Sequence, residues 1–130
     1  MTDEDHKASV CAAMAQDGLK LLYAGRLRDD EDVVRVAVAH SGCALEYASS
    51  RLRDDKSVVL VAVEHDGYAL TYASKRLRDE EDVVRVAMVE HPIASGLASV
   101  RLRKDEGFVR AAVARDSRTL GFFSFRLRNH

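Results

Sequence analysis

Apolar positions in this chain change their rhythm twice between one Arg-Leu-Arg triplet and the next. In the run Val33-Val34-Arg35-Val36-Ala37-Val38 only Arg35 is polar. At 100° per residue its five apolar side chains cover half of a helix circumference or more, leaving Asp32 and Arg35 outside. A helix of that kind needs partners on both sides. Farther along, Ala44, Leu45, Ala48 and Leu52 share a narrower stripe, with Glu46, Ser50 and Arg53 pointing away. The pattern predicts two short helices per unit. The first opens at an acidic block such as Asp29-Asp30-Glu31-Asp32, where Asp29 or Asp30 caps the free amides and the other carboxylates suit the positive helix end. A glycine such as Gly42 is expected to close it in the left-handed conformation. The second is expected over roughly Ala44 to Arg53, its arginines matching the negative end of the dipole. The valine run is strand-like in composition. Adjacent rather than alternating valines, each set behind an acidic cap, favour helix.

The pattern recurs. Arg-Leu-Arg stands at 26–28, 51–53, 76–78, 101–103 and 126–128, in equal steps. A Tyr-Ala pair precedes the first three triplets, at Tyr23-Ala24, Tyr47-Ala48 and Tyr72-Ala73; Leu97-Ala98 and Phe122-Phe123 replace it later. The first copy is one residue shorter, with 8 steps from Gly18 to Arg26 against 9 from Gly42 to Arg51. A fixed period in this range predicts a solenoid. Helices of about ten residues are marginal alone and gain stability by stacking on their neighbours. The expected fold is an all-α solenoid of about five helical hairpins. It forms a single domain over 1–130, with copies near 5–28, 29–53, 54–78, 79–103 and 104–128. The fourth copy departs from the rest. Pro92 stands where glycine stood and Gly96 weakens the helix after it, so a locally different turn is expected there.

The string from Tyr47 to Val63, Tyr-Ala-Ser-x-Arg-Leu-Arg-Asp-Asp-x-x-Val-Val-x-x-Ala-Val, resembles the repeats of the family called domain of unknown function 4116. Residues 5 to 128 fit its order, the second and third copies best. The resemblance implies helical repeats and no established activity.

Composition narrows the core and the partners. Hydrophobic residues make up 47% and charged residues 32%, enough to bury a core and keep a charged surface. With no Trp, four Tyr and four Phe, that core must be built from small aliphatics. Twenty basic against 21 acidic residues give a net charge of −1, which predicts no strong overall attraction to nucleic acid or anionic membrane. Cys11 and Cys43 occupy non-equivalent repeat positions and read as reduced thiols. The start Met1-Thr2-Asp3-Glu4-Asp5 is acidic, not a secretion signal, and no run of 18 apolar residues spans a membrane. An intracellular, cytoplasmic protein is expected.

The arginine row is the most suggestive chemistry. The first arginine of each triplet is expected on the helix flank, beside Tyr47 and the acids of the next layer. The second points outward, so Arg28, Arg53, Arg78, Arg103 and Arg128 are candidate ligand-facing residues, as are Arg35, Arg85 and Arg110 on the first helix. Such a row grips phosphates or an acidic peptide, unless pairing between layers neutralises it. His40 and His65 are equivalent positions a whole layer apart, too distant for one zinc ion. Both lie near a helix C-terminus, where a partly protonated imidazole is favoured. No general base flanks either cysteine, and no phosphate loop or calcium loop is present. The expectation is therefore a non-enzymatic scaffold without cofactor or metal, binding another protein or an acidic peptide. One alternative is nucleic-acid or polyanion binding through the arginines. Another is self-assembly through Phe122, Phe123 and Phe125, which the last copy leaves without a polar capping repeat.

Overall fold

The computed structural model describes residues 3–89 and 91–115. It is an all-α tandem repeat, without a strand among the described residues. The unit has three legs rather than two. In the second copy these are α2 (Glu31–His40), a 3₁₀ segment (Gly42–Tyr47) and the one-turn α3 (Ser50–Arg53). The third copy repeats them as α4 (Lys56–His65), Gly67–Tyr72 and α5 (Lys75–Arg78). The fourth has α6 (Glu81–Met88), Pro92–Leu97 and α7 (Val100–Lys104), and α8 (Glu106–Arg115) opens the fifth. The first copy begins with α1 (Asp3–Gln16) and continues through 3₁₀ segments Gly18–Tyr23 and Gly25–Asp29. Like packs on like: α1, α2, α4 and α6 stack in one row and the long 3₁₀ segments in another.

The apolar stripes become the core. Val33, Val34, Ala37 and Val38 are fully buried, with Val36 half-buried beside them. Leu45, Leu52, Leu70 and Leu77 are completely enclosed, and each contributes roughly 1.5–3 kcal/mol by leaving water. Asp30 caps α2 by accepting from the amides of Asp32 and Val33, Asp55 caps α4 in the same way, and Asp105 accepts from the Phe108 amide at α8. Glu80, at the cap position of α6, makes no such bond, contrary to the expectation of an acidic cap in each copy. Asp29 has a different task, described below.

Two expectations about the backbone are corrected. The single helix expected from Ala44 to Arg53 is broken at Ala48 and Ser49, both extended, with ψ of 158° and 159°. The extended pair turns the Ser49 amide away from its own helix and toward the Arg28 carbonyl of the preceding copy, at 2.9 Å. Ser74 and Ser99 make the same bond to Arg53 and Arg78. A bond between layers thus replaces one within a helix. Ala44, Leu45, Ala48 and Leu52 are nonetheless all buried, as the stripe predicted.

The glycines, second, do not close helices in the left-handed conformation. Among the described residues only Gly25 has positive φ, at 60°, where the shorter first copy bridges its two 3₁₀ segments. Gly18, Gly42 and Gly67 instead begin the long 3₁₀ segments, pressed against the helix of the next copy. A Cβ on them would lie 2.2 Å from the Ala37 carbonyl oxygen, 2.5 Å from that of Ala62 and 2.1 Å from that of Ala87. Only a residue without a side chain permits that approach. In the fourth copy Pro92 takes the first 3₁₀ position and α6 ends at Met88.

Gly42→Ala forces backbone apart and is expected to cost about 1–3 kcal/mol or more in a denaturant titration. Gly96→Ala meets nothing within 4 Å and has no positive φ. It is expected to be neutral or to stabilise by about 0.4–1 kcal/mol, because it restricts only the unfolded chain.

Candidate functional site

Counting the acid at the end of each third leg (Asp29, Asp54, Asp79) with the copy it closes, each Asp-Ser-Arg set forms a clamp between neighbouring copies. The Ser49 hydroxyl donates to Oδ1 of Asp29 at 2.5 Å, and Nε of Arg51 donates to the same oxygen at 2.9 Å. Nη2 of Arg51 donates to the Asp29 backbone carbonyl at 2.6 Å. Ser49 Oγ in turn accepts from the Leu52 amide, capping α3. Asp54 receives Ser74 at 2.6 Å and Arg76 at 3.0 Å; Asp79 receives Ser99 at 2.5 Å and Arg101 at 2.7 Å. The serine hydroxyl foremost, and the guanidinium after it, hold all three carboxyls below their ordinary value of 3.8. These groups are exposed, so each ion pair adds little by itself. What they fix is register. At the equivalent place in the fourth copy the residue is Lys104.

A second link joins the same layers on the other side. The Gly18 amide donates to Nδ1 of His40 at 3.1 Å, Gly42 to His65 at 3.0 Å and Gly67 to His91 at 3.3 Å. The expectation of partly protonated imidazoles does not fit this geometry. Nδ1 must keep its lone pair to accept the amide, which selects the neutral ring with its proton on Nε2. Pro92 has no amide to donate, so this series ends at His91.

The charged side chains divide into two sets. Lys7 spans to Asp30 and Asp32, at 3.1 and 2.8 Å, and Lys56 reaches Asp82 at 2.6 Å, again across layers. Arg35, Arg85 and Arg110 each pair with the glutamate one turn earlier, Glu31, Glu81 and Glu106. The first arginines Arg51, Arg76 and Arg101 hold the clamps, binding the acid of the preceding copy. The second arginines are the other set. Among the described residues Arg28, Arg53, Arg78 and Arg103 make no ion pair. Nε of Arg28 donates to the Tyr47 carbonyl and Nε of Arg103 to that of Ala98. Nε of Arg53 and of Arg78 is buried without a hydrogen-bond partner.

The exposure of the two arginines reverses the helical-wheel expectation. Side chains of Arg51, Arg76 and Arg101 are about 60% exposed, at 61%, 59% and 62%, whereas Arg28, Arg53, Arg78 and Arg103 are half-buried. In the second to fourth copies the extended residues at Ala48-Ser49, Ala73-Ser74 and Ala98-Ser99 restart the helical register three residues before the buried leucine. Arg128, Phe122, Phe123 and Phe125 lie outside the described residues.

The family model described as a domain of unknown function, DUF4116, matches residues 10–53, 30–78 and 55–88 in overlapping placements. This chain belongs to the DUF4116 family. No curated protein and no solved structure matches it. The later two DUF4116 placements start at 30 and 55, one repeat period apart.

In this DUF4116 array neither thiol is activated. Cys43 donates to Asp66 at 3.5 Å, and burial together with the Asp66 charge pushes it up to about 11. Burial also raises Cys11, and both are free cysteines. Among the described residues no cluster of three or more His, Cys, Asp or Glu side chains is placed to hold a metal ion, and no helix is long and apolar enough to cross a membrane. Sequence reasoning missed the clamp serines. Their recurrence at 49, 74 and 99, two residues before each first arginine, was the available signal.

Two measurements check these links. With folded-state carboxyls held low, the unfolded chain binds more protons in acid. The clamp contribution is therefore complete above the ordinary carboxylate range and is lost as pH falls below about 4. Denaturation midpoints between pH 7 and 3 are expected to drop for the natural chain and to drop less for Asp54→Asn. A midpoint equally acid-sensitive in Asp54→Asn removes the clamp as the cause. For the histidines, imidazole ¹⁵N spectra at neutral pH are expected to show the Nε2–H tautomer at His40, His65 and His91.

Proposed function

We propose that this DUF4116 array is a non-enzymatic scaffold that binds another protein. The carrying observation is a division of labour among repeat positions. Residues that recur from copy to copy are engaged in the frame: the clamp aspartates, serines and first arginines, the crowded glycines and the buried aliphatics. Core positions also vary, with Ser95 where Leu45 and Leu70 stand and Met88 where Val38 and Val63 stand, but two varying positions lie at the surface. Glu46, Thr71 and Gly96 are exposed at one position; Arg35, Leu60, Arg85 and Arg110 are exposed or half-buried at another. A frame that repeats beneath a face that does not is how solenoids present binding surfaces.

An apolar cleft of about 650 Å³ supports the reading. Leu60, Glu64, Val86 and Val89 line it, and Val89 is 50% exposed. Leu60 stands where the second, fourth and fifth copies carry arginine. The raised thiols of Cys11 and Cys43 support a non-catalytic role, since a thiolate nucleophile requires the opposite shift.

Photo-cross-linking tests the proposal. A benzophenone side chain at Leu60 or at Thr71 is expected to yield a discrete protein adduct in an extract of the source cell, competed by excess unlabelled chain. No adduct above background from either position would overturn it.

A further inference from the structure

The division of the cations leaves one edge of the array uncompensated. The acids nearest the layer junctions are engaged elsewhere: Asp29, Asp54 and Asp79 by first arginines, Asp30 and Asp82 by Lys7 and Lys56, and Asp55 at a helix cap. Along the short third legs Arg28, Arg53, Arg78 and Arg103 follow one another with no ion pair among the described residues. Lys75 adds a further positive charge between Arg53 and Arg78 in sequence, at a position that carries Gly25, Ser50 or Val100 in other copies. It too makes no ion pair among the described residues. A net charge near zero therefore conceals a local excess.

That excess borders a cavity. A cleft of about 340 Å³ is lined by Lys75, Arg78, Ala98, Ser99, Val100 and Arg103. Three of the six are cationic and none is acidic. Nε of Arg78 is buried with no hydrogen-bond partner, so no protein acceptor holds that nitrogen of the guanidinium. We propose that Lys75, Arg78 and Arg103 form an anion-binding cleft between the third and fourth copies, which takes a carboxylate or phosphate group on an extended segment of a protein partner.

Planar guanidinium groups suit both oxyanions. Equivalent side chains in stacked helical layers are about 8–10 Å apart. An extended peptide advances about 3.3 Å per residue, so anionic groups three residues apart meet successive arginines. A nucleic-acid strand fits less well. The clamp carboxylates Asp54 and Asp79 are 47% and 40% exposed in the same copies and repel a continuous phosphate backbone. A peptide with separated charges avoids them.

The cleft rests on the scaffold reading, naming the chemistry of one part of the partner. The test uses a labelled hexapeptide with glutamate at its first and fourth positions, the same hexapeptide with phosphoserine at those two positions, and a single-stranded hexathymidylate. Fluorescence anisotropy gives affinity; ¹H–¹⁵N spectra of the arginine Nε–H groups give location. At least one peptide is expected to bind saturably and to move the Arg78 and Arg103 signals; which peptide binds tighter separates phosphate from carboxylate. Lys75→Ser, which installs the residue of the second copy, is expected to weaken that peptide about tenfold with an unchanged melting temperature. Arg78→Gln is expected to weaken it further. Absence of saturable binding by both peptides overturns the cleft, as does full affinity in Lys75→Ser or tighter binding of the oligonucleotide. Adducts retained at Leu60 or Thr71 in that case leave the scaffold standing without the cleft.

Discussion

Layer spacing in this array is set by backbone meeting backbone. Where Gly18, Gly42 and Gly67 face the carbonyls of Ala37, Ala62 and Ala87, there is no room for even one added carbon. Everything else follows from that closeness. The glycine amides come within reach of the histidines of the next copy. The serine amides reach the arginine carbonyls of the copy before. A core of valine, alanine and leucine, without tryptophan, fills the thin space that remains. Larger side chains would hold the layers apart and break both series of bonds.

The same closeness organises charge. Short side chains such as aspartate and serine meet across a layer only because the layers nearly touch. Once Arg51, Arg76 and Arg101 are drawn into that junction, their sisters Arg53, Arg78 and Arg103 are left without an ion pair among the described residues. Two identical residue types thus have opposite lives. One is exposed and paired, the other half-buried and unpaired. Net charge averages over both and describes neither.

The all-helical repeat and its buried positions were legible in the sequence. Evenly spaced Arg-Leu-Arg triplets gave the period, and the valine run with its acidic cap gave the long helix. The broken second helix was not legible. Ala44, Leu45, Ala48 and Leu52 lie inward whether the chain is one helix or a 3₁₀ segment, an extended pair and a single turn, so periodicity does not separate the two. What decides between them is a bond from Ser49 to the preceding copy, and a helical wheel contains no neighbours. The glycines misled for a related reason: a helix-ending glycine and a contact glycine look alike in one copy. The arginine row was visible as a candidate, but which member faced solvent depended on the unseen break.

Every clamp joins residues 20 or 22 positions apart, so no bond of this kind reaches past an adjacent copy. Each middle copy supplies the acid for one junction and the serine and arginine for the other. Excising or duplicating one whole repeat between Asp29 and Arg101 therefore regenerates intact clamps on both sides of the join. The array can gain or lose length by recombination in whole repeats without any compensating substitution. That freedom stops at Lys104, where a copy presents a cation in place of the acid and the junction chemistry no longer copies itself.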